Sequence, residues 1–450
     1  MIRKLITHFL HGKLQRLPAG KGGKPSWVEA SDFGLRAQAI SVASLKTVQG
    51  LQSAGYKAYI VGGAVRDLLL GYKPKDFDVA TDATPEEVRH CFRRSRLIGR
   101  RFQIVHVYMR GEVVEVTTFR GEHTAKTDPQ GRILHDNAFG DQAEDAARRD
   151  FSINALYYDP VDELIIDYFQ GVADIRQRRL RIIGNPSRRY REDPVRILRA
   201  VRLAAKLDLQ IDPNTAAPLT RLAPLLENVP PARRFDELVK LVASGAAHTA
   251  ISALRDRLIH PYLLPGLDAV LTQKQGERFV ECALANTDAR VAAGKAISAN
   301  FIFATLLWPL VLDTWRQHQE AGERPLPALF HALDDVFEQH ARRLAITRRI
   351  GTDVREILGL QPRFEQRSGK RPYALLTRPR FRAAYDFLLL RAEVGEVDSQ
   401  LAEWWTRFQN ADGSQRADMI DALQPAQTDN KRRPRRRRRK QPASNTTFVQ

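Results

Sequence analysis

Two aspartates flank a single phenylalanine in Asp76-Phe77-Asp78, shortly after the glycine pair Gly62-Gly63; from Tyr59 to Asp82 the chain reads YIVGGAVRDLLLGYKPKDFDVATD. In a strand, residues i and i+2 share a face, so Asp76 and Asp78 would set two carboxylates side by side while Phe77 turns toward the core. Neighbouring carboxylates repel, and a cation between them relieves the repulsion. Hard oxygens suit Mg2+, and metal ions held there can stabilise the attacking and leaving oxygens of an in-line displacement at phosphorus. A lone Asp-x-Asp is commonly a solvated strand edge. Here, however, Gly62 and Gly63 sit between a short apolar strand, Ala58–Val61, and a helix, Ala64–Leu70. Such a junction lets backbone N–H groups approach a phosphate closely. Arg66, one turn into that helix, can add a charge-assisted contact to the same phosphate.

Other polar groups follow in order. Glu115 interrupts the apolar run Val113–Phe119; it is either a third carboxylate at the metal pair or an outward-facing acid on an amphipathic strand. Arg149, Asp150 and Asn154 straddle a helix-to-strand junction within RRDFSINA (148–155) and suit phosphate charge and ribose hydroxyls. Asp193 and Arg196 open a helix, with Pro194 at its first position and Asp193 as N-cap. An acid and an arginine projecting together can present acceptor and donor to a base edge. Arg196, Arg199 and Arg202 drift around one side while Val195, Ile197, Leu198 and Val201 fill the other, a pattern that ordinary surface ion pairing would also produce.

The elements that must position these groups divide the chain in two. Strands are expected at Ala58–Val61, Phe77–Ala80, Ile104–Met109 and Val113–Phe119, the last two joined by an Arg110-Gly111 hairpin turn. A helix is expected over Arg36–Ala54, and Gly121–Asn137 reads as a polar loop. Beyond about Asp174 only helical periodicity is expected, in Pro194–Leu207, Ala217–Leu226, Phe235–Ala243, Ala296–Trp315, Pro325–Ile346 and Phe381–Ala392. The fold class is α+β, an α/β head followed by an all-helical neck and body.

Composition narrows the partners. The 450 residues carry a formal net charge of +19, pointing to a polyanion, nucleic acid before anionic membrane. Nine of those charges lie in Lys431, Arg432, Arg433, Arg435, Arg436, Arg437, Arg438, Arg439 and Lys440, a run that cannot pack a core and is expected to be a disordered RNA-binding tail. The basic N-terminal segment, with helically spaced Ile2, Leu5, Ile6, Phe9 and Leu10, is expected to be a frayed extension, or a peripheral contact with anionic membrane. Two cysteines, Cys91 and Cys282, exclude a disulfide framework and fit a reducing, cytoplasmic location. The longest apolar stretch, Phe301–Leu312, is too short to span a bilayer.

Together and in this order, GGAVRDLLLG, KDFDVAT, EVTTFR, RRDFSINALYYD and REDPVRILRAVRLAAKL resemble the class II nucleotidyltransferases, bacterial tRNA CCA-adding enzymes and bacterial poly(A) polymerases, from about Ser44 to Ala243. The resemblance implies a polymerase β-like head (residues 35–174), a neck that recognises the base (175–232), an RNA-binding body (233–427), and flanking basic segments at 1–34 and 428–450. It implies Gly63 and Arg66 at the triphosphate, Asp76 and Asp78 at the metals, and Asp150 beside Glu115 as a further active-site acid. By the same resemblance Arg149 and Asn154 handle the nucleotide, Asp193 and Arg196 template the incoming base, and Arg199 and Arg202 make further nucleotide contacts. Three features favour the poly(A) polymerase branch, with ATP as substrate, Mg2+ as cofactor and RNA 3′ ends as acceptor. Leu97–Val107 looks like that branch's sequence after the Asp-x-Asp, the Arg-rich tail and basic body suit general RNA ends, and the helical half has no His-Asp phosphohydrolase-like motif. CCA addition is the alternative, and a basic RNA-binding protein without catalysis is a second.

Overall fold

The computed structural model describes residues 24–99, 103–121, 139–263, 270–271, 274–344 and 348–423. The N-terminal helical spacing, the polar loop 122–138 and the Arg-rich tail lie outside them, as do residues 100–102 within the branch-specific segment. The chain divides into two compact units between Arg355 and Glu356.

The first unit opens with an eight-stranded mixed sheet. Its strands are β1 (Ser26–Glu29), β2 (Ala58–Val61), β3 (Asp78–Thr81), β4 (Ser95–Ile98), β5 (Ile104–Met109), β6 (Glu112–Thr118), β7 (Leu156–Asp159) and β8 (Leu164–Asp167). The order is β1-β8-β7-β2-β3-β6-β5-β4, and only β3 and β6 run parallel. Alternation in β5 and β6 sorts the side chains: Val105, Val107, Val114 and Val116 are buried, while Tyr108, Val113 and Glu115 lie on the opposite, exposed face. Helices α1 (Val42–Ser53) and α3 (Pro85–Cys91) cover the valine side. Between them in sequence, α2 (Gly63–Leu69) leaves the end of β2. On the other side of the central strands, Tyr59, Val61, Phe119 and Tyr157 form an aromatic-rich core with Ala146 of α4 (Gln142–Ala147). The hairpin between β5 and β6 turns at Arg110 and Gly111, both at positive φ (51° and 83°), as a two-residue primed turn requires.

Several boundaries differ from the sequence expectation. The N-terminal extension is not wholly outside the fold, because Ser26–Glu29 pairs with β8 as an edge strand. Helix α1 begins at Val42, capped by Ser41, after a separate 3-10 turn at Ala37–Ala39. Strand β3 starts at Asp78, so Asp76 precedes the ladder and Phe77 is only half-buried. The reason is its partner: Val61, opposite Asp78, is the last residue of β2 before the chain turns at Gly62. Strands also continue past Asp174, as a two-residue parallel pair, Arg179–Leu180 with Gln210–Ile211.

Helices α5 (Gly171–Arg176), α6 (Pro186–Glu192) and α7 (Val195–Leu207) follow the sheet. Asp193 closes α6 in extended geometry and its Oδ1 accepts from the Val195 N–H at 3.4 Å, while Pro194 already has helical geometry (φ −62°, ψ −21°), so Asp193 both ends α6 and caps the start of α7, as expected. Val195, Leu198, Val201 and other apolar side chains of α7 are buried, and the helix packs on α8 (Pro231–Val242) and α9 (Ala247–Asp256). Next come α10 (Lys274–Ala292), α11 (Ala299–Glu320) and α12 (Pro325–Leu344), with α13 (Arg348–Gly359) crossing the unit boundary. Ala217–Leu226 forms a single helical turn, Leu219–Leu222, and a 3-10 segment rather than one helix.

The second unit holds α14 (Phe381–Glu393), α15 (Ser399–Asn410) and α16 (Gly413–Asp421) around an aromatic core of Phe364, Phe381, Trp404, Trp405 and Phe408. The Trp405 indole donates to the Phe364 carbonyl at 2.9 Å, so its buried N–H is satisfied. No helix among the described residues is long and apolar enough to cross a membrane.

Candidate active site

The register brings two of the expected groups, and one that was not expected, onto one row. Asp78 begins β3, next to Glu115 on β6, and His106 on β5 lies opposite Glu115, with Nε2 at 3.5 Å from Oε1. Asp78 and Asp76 are both solvent-accessible. The Asp78 carboxyl is pushed up to about 6: partial burial is the largest cause, and Glu115 and Asp76 add to it while Arg149 opposes. Asp78, with Glu115 and Asp76 near it, brings hard carboxylate oxygens, the donor type of divalent cations, to this end of β3.

Beside this row the chain turns sharply. Gly62 adopts φ 76° and ψ −126°, a backbone region only glycine occupies readily, and a Cβ there would lie 3.2 Å from Arg149 Nη1. Arg149 thus reaches the turn between β2 and α2. Its guanidinium is held by Asp145 (Nη2–Oδ2 2.9 Å) and stacks over the Tyr157 ring at 5.4 Å. Asp145 is 1% exposed and also accepts from Arg148 Nε at 2.9 Å and the Tyr157 hydroxyl at 2.7 Å. Burial by itself would raise the Asp145 carboxyl, but Arg149, Arg148 and the Tyr157 hydroxyl outweigh it and hold the group well below the usual carboxylate range.

A second polar chain runs from α2 to α7. Asp67 accepts from Arg66 Nε at 2.8 Å, and Arg66 Nη1 donates to Asn154 Oδ1 at 2.7 Å. Asn154 Nδ2 donates to Asp150 Oδ1 at 3.0 Å, and Arg199 Nη2 pairs with Asp150 Oδ2 at 2.7 Å. Asp150 is therefore buried and committed to Asn154, the Phe151 N–H and Arg199; it couples the sheet to α7 instead of joining Asp76 and Asp78 at the open face. Asp174, fully buried, anchors the same junction through Ser152, Arg179 and Arg181.

On the neighbouring helices, Arg196 Nη1 donates to the Arg189 carbonyl at 2.9 Å and lies 3.4 Å from Glu192, which also pairs with Arg189 at 2.8 Å. Asp193 pairs with Arg233 at 3.0 Å, and Arg202 lies 3.4 Å from Glu237. Asp193 and Arg196 thus hold different partners, though both stand at the α6–α7 junction. Sequence reasoning missed Asp145, Asp174, His106 and Glu192. Asp145 and Glu192 left a readable signal, their three- and four-residue spacing to arginines: Arg148 and Arg149 for the first, Arg188, Arg189 and Arg196 for the second.

A mixed sheet with acids at the start of its central parallel strand, next to a glycine turn and an arginine-bearing helix, defines a nucleotidyltransferase. Family descriptions match along the chain: the poly A polymerase head domain over residues 58–181, its probable RNA and SrmB-binding site over 208–271, and the polymerase A arginine-rich C-terminus over 321–440. Poly(A) polymerase I of Salmonella typhimurium is 44% identical over 414 residues, 89% of each chain. A CCA-adding enzyme of Levilactobacillus brevis is 41% identical over 207 residues, 46% of this chain and 51% of that one. The crystal structure of the Bacillus stearothermophilus CCA-adding enzyme in complex with CTP superposes with TM-score 0.58 at 26% identity, covering 85% of this chain and 82% of that one. The chain belongs to the bacterial poly(A) polymerase family.

Proposed function

We propose that this chain adds AMP from ATP to RNA 3′ ends without a template, releasing pyrophosphate, and so promotes RNA turnover. The observation that carries the reading is the Asp78–Glu115 row beside the Gly62 turn, within a chain similar over most of its length to poly(A) polymerase I and over only about half to CCA-adding enzymes. The division into head (35–174), neck (175–232) and body (233–427) is part of the same proposal.

The triphosphate lies against the Gly62-Gly63 turn, where absent side chains allow close approach, with Arg66 and Arg149 supplying positive charge. Asp76 and Asp78 hold Mg2+, which when bound supplies charge stabilisation at the α-phosphate and the departing pyrophosphate and lowers the pKa of the RNA 3′-hydroxyl. Asn154 and Asp150 fix the orientation of Arg66 and Arg199 toward the nucleotide. Arg196, held by the Arg189 carbonyl and Glu192, and Asp193, held by Arg233, present donor and acceptor groups to the base. RNA binds along the basic body and the tail.

Incubating the protein with Mg2+, an RNA oligomer and each labelled nucleotide in turn tests this directly. Long tails from ATP alone support it; addition of CTP then ATP to a tRNA lacking its 3′ end, with no extension of the oligomer, selects CCA addition instead. Two further outcomes follow. Arg196→Ala should lose base selection more than triphosphate affinity, narrowing the preference for ATP over CTP, GTP and UTP by about 1–3 kcal/mol. An unchanged ratio with intact activity removes the templating role. Truncation after Asn430 should weaken RNA binding and leave nucleotide choice alone, because phosphate contacts carry almost no sequence information. The slope of log affinity against log salt should become shallower by roughly 0.7 for each phosphate that the tail no longer neutralises. Equal slopes would assign RNA binding to the body alone.

A further inference from the structure

A helical hairpin in the first unit gathers groups that the reaction does not use. Helix α11 ends at Glu320 and α12 begins at Pro325. Gly322, at φ 93°, turns the chain, and the Glu323 N–H donates to the His318 carbonyl at 3.1 Å. Across the turn, the Trp315 indole donates to the Pro325 carbonyl at 2.8 Å. These bonds set Glu323 between two imidazoles. His318 Nδ1 lies 2.7 Å from Oε1 and His331 Nδ1 lies 2.7 Å from Oε2. One donor atom from each of His318, Glu323 and His331 falls within 4.8 Å of the other two.

We propose that His318, Glu323 and His331 bind a divalent first-row transition cation, with Zn2+ as the best match, and that the cation pins the α11–α12 turn. Two imidazole nitrogens and a carboxylate form a borderline donor set typical for zinc, whereas Mg2+ demands oxygen ligands in octahedral geometry. The outer partner is also built: Asp335 Oδ2 lies 2.8 Å from His318 Nε2. A carboxylate there accepts a hydrogen bond from Nε2–H, orients the ring and leaves the Nδ1 lone pair facing Glu323, the arrangement that steadies metal-binding histidines. Donor atoms around tetrahedral zinc stand roughly 3.3 Å apart. The Glu323 carboxylate would therefore retreat about half an ångström from each imidazole to admit the ion. His331 is exposed and free to follow, and the fourth position is left to water.

The test uses the full-length chain, stripped with EDTA and re-equilibrated with Zn2+ in excess Mg2+ so that the acidic sheet face is already filled. Zinc retained after desalting is measured by mass spectrometry, and Co2+ substitution gives a visible d–d spectrum as a second readout. Wild type should retain one equivalent more than His318→Gln or His331→Gln, and only wild type should gain thermal stability on adding Zn2+. Asp78→Asn should keep the extra equivalent. Both histidine substitutions fall on accessible side chains, and circular dichroism checks that the variants are folded. Equal zinc in wild type and His331→Gln overturns the proposal and leaves a hydrogen-bonded cluster only. Loss of the extra equivalent in Asp78→Asn instead assigns the zinc to the acidic row, and likewise overturns it.

Discussion

Asp78→Asn should abolish nucleotide addition while RNA affinity stays close to that of the unaltered protein. The substitution keeps the shape of the side chain and removes the charge that begins β3 on the acidic row. Charge stabilisation at the reacting phosphate is worth several kcal/mol, so a loss of about 4 kcal/mol, roughly a thousandfold in rate, is the expected scale. The same variant should be no less stable than the parent when divalent cations are absent. In the fold the Asp78 carboxyl sits at about 6, above its ordinary value, through partial burial and the neighbouring Glu115 and Asp76. Its ionised form therefore opposes folding at pH 7, and that opposition disappears as pH falls below about 4, where the carboxyl is protonated in both states. Single-turnover extension of a labelled oligomer, filter binding and thermal melting separate the three quantities. Extension at near the parent rate would falsify the role assigned to this residue.

Asp145→Ala should be the most destabilising single change near the site. It strands Arg148 and Arg149 without their shared carboxylate and leaves the buried Tyr157 hydroxyl without its acceptor. Breaking a buried pair from one side costs about 3–5 kcal/mol, a large part of a typical domain's stability. Because Arg149 reaches the Gly62 turn, KM for ATP should rise as well. The folded-state pKa of Asp145 is depressed, so its contribution is fully present at pH 7 and is lost as pH falls below about 4. Urea titration at neutral pH should show the midpoint falling. At pH 3 the difference between variant and parent should shrink, and an equal difference at both pH values would assign the effect to packing instead.

The chemistry was readable because it is encoded locally. Gly62-Gly63 before a helix and the Arg110-Gly111 hairpin rest on backbone conformations set by adjacent residues and occur where expected, whereas the strand expected from Phe77 begins only at Asp78 and leaves Asp76 outside the ladder. The edge strand Ser26–Glu29 was not readable, since its four residues have no apolar alternation and owe their conformation to β8. Helices α9, α10 and α15 also went unread, and much of their stability comes from packing in the helical body rather than from the segments themselves.

Sequence by itself determined the α/β-then-helical order and the family, because motif order survives without coordinates. Tertiary structure decided where each acid sits and what it meets. Asp78 and Glu115 meet only because β3 and β6 pair in parallel across a crossover of some thirty residues. Asp150, one residue from Arg149 in the chain, is buried under α7 and neutralised by Arg199, whereas Arg149 turns the other way to Asp145 and the Gly62 turn. Adjacent residues part in this way because α4 ends at Ala147 and the chain has left helical geometry before the 3-10 turn at Ser152–Asn154, and which side faces solvent depends on elements packed from far along the chain.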